Sequence, residues 1–172
     1  MVSRPPAVFL VGFMGSGKTS VGQALAAHLA LPFIDLDARV EQAAGKSVSA
    51  IFAHEGEAAF RAHERAMLLA LAPELAHGAV VATGGGTAVD PAARAFMREH
   101  GTTIWLDTPL ETIERRVPRD GSRPLFGDPA ALAALYEERR SHYASAGRRV
   151  DAGKGAPEDL ARAIARDLEE RA

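Results

Sequence analysis

The sequence predicts a three-layer α/β fold around a parallel sheet, and three observations carry that prediction. Short continuous apolar runs recur along the chain, each followed by a stretch with helical spacing. The first run leads directly into a complete Gly-x-x-x-x-Gly-Lys-Ser/Thr pattern at Gly12–Thr19. The bulk composition, 47% hydrophobic and 24% charged over 172 residues, is that of one globular domain able to bury a core, so residues 1–172 are read as a single unit.

Taken in order, residues 1–6 carry Pro5-Pro6 and read as an irregular tail. Residues 7–11 (Ala-Val-Phe-Leu-Val) form the first strand. In the loop behind it, glycines let backbone N–H groups turn inward onto a triphosphate. Lys18 adds a point charge, and the Thr19 hydroxyl suits Mg²⁺. Residues 19–30 place Val21, Leu25 and Leu29 on one helix face, and that helix aims its N-terminus at the phosphates. Residues 32–35 form the second strand, residues 57–72 a helix with Phe60, Met67, Leu68 and Leu71 at core spacing, and residues 79–83 the third strand. A helix follows over 91–100, opened by Pro91, then a strand over 102–106 and a short one over 148–150. The last helix, 157–171, opens with Pro157, has Glu158 and Asp159 in its first turn, and spaces Leu160, Ile164 and Leu168 four apart. This strand–helix alternation implies right-handed crossovers. Residues 118–130 break the pattern with three prolines, two glycines and two arginines, and read as a lid loop.

A formal net charge of −2 favours neither nucleic acid nor an anionic membrane as partner. The absence of cysteine excludes disulfides and thiolate metal sites. No apolar run reaches 18 residues, so a cytoplasmic location is expected, with a monomer as the default state.

A second site is legible beside the phosphate loop. Asp35-Leu36-Asp37 ends the second strand; two carboxylates two apart on an extended chain face the same way, toward the ligand-binding edge of such a sheet. Asp35 is then read near Mg²⁺ and Asp37 as a proton acceptor, against the plainer reading of Asp37 as a helix cap. Gly84, Gly85 and Gly86 end the third strand, where something approaches the backbone closely. Arg61 sits on the helix after Phe60, either facing that pocket or solvated.

The set Gly12–Thr19, Asp35-Leu36-Asp37, the stretch 52–57 (Phe-Ala-His-Glu-Gly-Glu), Phe60-Arg61, Gly84–Gly86, Arg123-Pro124-Leu125 and Arg139 before Tyr143 resembles the shikimate kinase family in order and spacing, over about residues 7–168. The resemblance implies ATP-dependent phosphorylation of the shikimate 3-hydroxyl on a P-loop kinase fold with a five-stranded parallel sheet, similar to nucleoside-monophosphate kinases. It implies that Gly15, Ser16, Gly17, Lys18, Thr19, Ser20, Arg116, Arg123 and Pro157 hold ATP, with Arg116 stacked on adenine and Arg123 on the lid. It further implies that Thr19 and Asp35 hold Mg²⁺, that Asp37, Arg61, Gly84–Gly86 and Arg139 hold shikimate, and that Lys18, Asp37 and Arg123 are catalytic. In one departure, Arg139-Arg140-Ser141-His142-Tyr143 has serine where the family usually has proline, which leaves open whether Arg139 or Arg140 faces the substrate. Another small-molecule kinase, such as a gluconate kinase, or an inactive nucleotide-binding module are the alternative readings.

Overall fold

A computed structural model describes residues 6–118 and 124–172. The elements run β1 (Ala7–Val11), α1 (Lys18–Leu29), β2 (Phe33–Asp35), α2 (Leu36–Ala44), α3 (Val48–Glu55), α4 (Glu57–Ala70), α5 (Ala72–Leu75), β3 (Val80–Ala82), a 3₁₀ turn (Thr87–Val89), α6 (Pro91–His100), β4 (Gly101–Asp107), α7 (Leu110–Arg116), a 3₁₀ turn (Pro124–Gly127), α8 (Pro129–Ala146), β5 (Arg148–Asp151) and α9 (Pro157–Glu170). The five strands form one parallel sheet in the order β2-β3-β1-β4-β5. This is the predicted three-layer architecture.

Alternation along β1 explains the layers. Ala7, Phe9 and Val11 point to one face, where they join Phe13, Leu68, Met97, Trp105 and Tyr143 under α4, α6 and α8. Val8 and Leu10 point to the other face and pack with Leu25, Ile104 and Ile164 under α1 and α9. Both faces being covered, β1 carries no polar residue. A smaller cluster of Val40, Ile51 and Phe60 joins α2, α3 and α4 into a lobe beside the sheet edge.

Side-chain caps start four of the helices. Asp35, Ser47, Asp90 and Asp128 accept from Ala38, Ala50, Ala92 and Ala131 N–H groups, which would otherwise lack partners. The expected loop at 118–130 is shorter at its far end, because Asp128 caps α8 and Pro129 begins it. From β1 at the centre the chain runs out to the edge strand β2, comes back through β3 and passes β1 to reach β4 and β5, every pairing being parallel. The phosphate loop, Asp35, the glycine triplet and Asp107 therefore all stand at the carboxyl edge of adjacent strands.

Candidate active site

The phosphate loop keeps its shape through glycines in the left-handed region, with φ +77° at Gly15 and +97° at Gly17. A side chain on Gly15 would also meet Val117. Lys18 is 9% exposed and donates through Nζ to the carbonyls of Gly12 and Phe13 at 2.7 and 3.0 Å. Ser16 turns its hydroxyl inward and is fully buried, so its part toward a ligand falls to its backbone. Gly15, Gly17, Lys18, Thr19, Ser20, Asp35, Asp37 and Arg116 line one recess of about 340 Å³. Pro157 is not among them. It opens α9 and lines a separate groove against α1, which meets the recess only through Ser20. Arg123 lies outside the described residues.

The second strand ends one residue into the Asp35-Leu36-Asp37 motif. Asp35 is the cap of α2: Oδ1 accepts the Ala38 N–H at 3.1 Å, and Oδ2 accepts the Thr19 hydroxyl at 3.3 Å. Asp37 sits in the first turn of α2 instead of on extended chain, and it is not the cap. The cap geometry overrides the extended spacing because Asp35 satisfies an orphan helix N–H. Both carboxylates still reach the phosphate recess.

A second cleft of about 640 Å³ adjoins the first, between the α2–α4 lobe and α8. Arg61, Glu64 and Phe60 of α4, the glycine triplet and Arg139 of α8 line it. Met14, Asp37 and Gly85 line both hollows. The glycines are required by contact. A Cβ on Gly84 would lie 2.5 Å from Glu64 Oε2 and 2.9 Å from Asp37 Oδ1, and one on Gly86 would overlap the Arg61 guanidinium. Arg61 donates from Nη1 to Glu64 Oε1 at 3.0 Å and lies 3.6 Å from Glu57.

Arg139 and Arg140 part company on α8. Buried positions Leu132, Tyr136, Arg139 and Tyr143 form one helix stripe, and Arg139, 9% exposed, faces the cleft, its guanidinium 6.0 Å from the Phe13 ring. Arg140, about 100° round the helix, is bound instead to Asp107 at 2.6 and 3.2 Å. Tyr143 donates to the Gly85 carbonyl at 2.5 Å, and burial pushes its phenol pKa up, keeping the donor proton in place.

Electrostatics single out Asp37. Burial, then the nearby Glu64 carboxylate, raise its pKa from 3.8 to about 6, against the opposing pull of Lys18. Asp37 Oδ1, Glu64 Oε2 and Thr87 Oγ1 are buried with no hydrogen-bond partner among the described residues, and all three surround Gly84. Glu64 had no part in the sequence reading. Its signal was positional: it falls between Phe60 and Leu68 on the buried stripe of α4, where a 3% exposed acid needs a partner.

A phosphate loop at the switch point of a parallel sheet, joined to a polar acceptor cleft, defines a P-loop kinase acting on a small molecule. The shikimate kinase family model matches residues 14–169. The shikimate kinase of Caulobacter vibrioides is 46% identical over 153 residues, covering 87% of this chain and 76% of that protein. That of Salinibacter ruber is 40% identical over 172 residues, covering 93% and 83%. In structure, the chain is similar to a shikimate kinase from Acinetobacter baumannii solved in complex with shikimate, with TM-score 0.90, 34% identity and coverage of 97% and 94%. The chain belongs to the shikimate kinase family.

Proposed function

We propose that this chain transfers the γ-phosphate of ATP to the 3-hydroxyl of shikimate. The observation that carries the reading is the shared wall: Asp37, Met14 and Gly85 border both the phosphate recess and the acceptor cleft, so a hydroxyl in one and a terminal phosphate in the other meet at Asp37.

The acceptor side has the chemistry for a polyhydroxylated carboxylate. Arg61 and Arg139 offer planar forks for a carboxylate. The unpartnered oxygens of Asp37, Glu64 and Thr87, with the glycine-triplet backbone, suit hydroxyl donors. Glu64 holds the Arg61 guanidinium flat beside Gly86, which fixes the fork before the ligand arrives.

In the transfer, Asp37 orients the attacking hydroxyl and takes its proton at a carboxylate oxygen. Its raised pKa makes it a better base than an ordinary aspartate while leaving it mostly ionised at neutral pH. Lys18 and the loop N–H groups of residues 15–19 stabilise charge on the phosphate oxygens, and positioning does most of the catalytic work. Thr19 and Asp35 fit Mg²⁺. Both present hard oxygens, their side chains are 3.3 Å apart, and the remaining ligands would come from phosphate and water. The bound ion would neutralise charge between the β- and γ-phosphates. Arg116, in the same recess, suits the adenine face.

ADP release measured with shikimate, gluconate and nucleoside monophosphates as acceptors tests the reading. Stimulation by shikimate alone supports it; stimulation by gluconate or a nucleotide, with none by shikimate, contradicts it.

A further inference from the structure

Two residues outside both hollows tie them together. Asp107 closes β4, and its buried carboxylate receives Arg140 of α8 at 2.6 and 3.2 Å and Arg149 of β5 at 2.6 Å. Its carbonyl accepts the Ala152 N–H at 2.9 Å. Burial pulls the Asp107 pKa upward, but Arg140 and Arg149 together outweigh it and hold the carboxyl below the ordinary range. Thr108, 2% exposed, donates its hydroxyl to the Ser16 carbonyl at 3.1 Å, and its own carbonyl accepts the Tyr136 hydroxyl at 2.8 Å. Arg140 also donates to that Tyr136 oxygen at 2.8 Å and lies over the Trp105 ring.

The Ser16 contact has a directional consequence. In a trans peptide the carbonyl of one residue and the N–H of the next lie in one plane and point in opposite directions. A hydroxyl that pins the Ser16 carbonyl therefore pins the Gly17 N–H the other way, and Gly17 lines the phosphate recess. The Arg140 contact fixes a helix phase in the same manner. With Arg140 held bidentately on Asp107, α8 cannot rotate, and Arg139 is kept on the cleft side.

We propose that the Asp107–Thr108 dipeptide is a positioning junction. Thr108 sets the phosphate-loop peptide that faces the nucleotide, and Asp107 acts through Arg140 to set Arg139 in the acceptor cleft. Neither side chain borders either hollow. The acceptor half rests on the proposed function; the nucleotide half does not.

Thr108→Val keeps shape and loses the donor, whereas Thr108→Ser keeps the donor and loses a methyl group. ADP affinity of the two variants, measured by calorimetry, separates positioning from packing. The junction predicts ADP binding weakened about 3- to 10-fold in Thr108→Val, the worth of one buried hydrogen bond, and within about twofold of the parent in Thr108→Ser. The reverse ranking, or an unchanged Thr108→Val, overturns it. Arg140 is half-buried on a helix, so Arg140→Gln tests the other half with less risk to folding than a change at Asp107. It should raise shikimate KM about tenfold with ADP affinity unchanged. Unchanged KM, or equal loss in both parameters, overturns the Asp107 role. Absence of shikimate turnover in the parent protein contradicts the proposed function, and the ADP comparison decides the Thr108 role in either case.

Discussion

Replacing Asp37 by Asn should strengthen the ligand-free protein while disabling it. The carboxyl pKa moves from 3.8 in an unfolded chain to about 6 in the fold. The difference of about 2.2, at 1.36 kcal/mol per tenfold, makes the ionised group cost the folded state about 3 kcal/mol at neutral pH. The sign follows from proton binding. Because the folded state holds the proton more tightly, the cost is full above the folded value near 6 and vanishes below 3.8, where both states are protonated. Asparagine removes the charge and keeps the shape, and its amide places a donor in the pocket beside Gly84, where Asp37 Oδ1 and Glu64 Oε2 both lie buried without a partner among the described residues. Losing a first-turn carboxylate on α2 returns about 0.3–1 kcal/mol. Urea unfolding followed by circular dichroism should therefore show Asp37→Asn more stable by about 2 kcal/mol at pH 7.5, with the gap mostly closed at pH 4.5. The same variant should lose roughly 10²–10⁴-fold in kcat. A variant no more stable than the parent at pH 7.5, or a gap independent of pH, would refute the charge argument; near-parent turnover would refute the base.

Three further changes test other parts of the site. Gly86→Ala drives a methyl group into the Arg61 guanidinium, so shikimate KM should rise at least tenfold with ADP affinity intact; an unchanged KM removes Arg61 from the clamp. Arg61→Lys keeps the charge but loses the fork shared with Glu64, and a KM increase of about tenfold is expected, read from initial rates against shikimate concentration. Thr19→Val deletes the hydroxyl beside Asp35 and should raise the Mg²⁺ concentration giving half-maximal rate by about tenfold; an identical Mg²⁺ titration speaks against the Thr19–Asp35 pair.

The layer order was legible because β1 and β3 are uninterrupted apolar runs and β4 carries the apolar stretch Ile104-Trp105-Leu106, as expected of strands covered on both faces. The phosphate loop was legible because its function fixes its residue types. Less visible was the start of α2. Extended spacing and an Asp cap compete over Asp35-Leu36-Asp37, and only the Asp35–Ala38 bond decides between them. Helices α2 and α3 escaped boundaries because their apolar faces are short: Leu36 joins the main core, while Val40 and Ile51 pack on Phe60 of α4. Glu64 was missed since a charged residue on an exposed-looking helix draws no notice until the stripe through Phe60 and Leu68 is traced. The choice between Arg139 and Arg140 was open for want of a helix phase. The buried positions 132, 136, 139 and 143 supply it, and serine at 141 leaves the helix unbroken where proline would have constrained it.

The proposed function has a phosphate from ATP and a hydroxyl of shikimate meeting at Asp37. Phosphorus NMR of the protein with ATP, Mg²⁺ and shikimate tests it most directly. A new phosphomonoester signal should grow in step with ADP, with little ADP formed in the absence of shikimate. Equal ATP consumption with and without shikimate, or inorganic phosphate as the sole product, would contradict it.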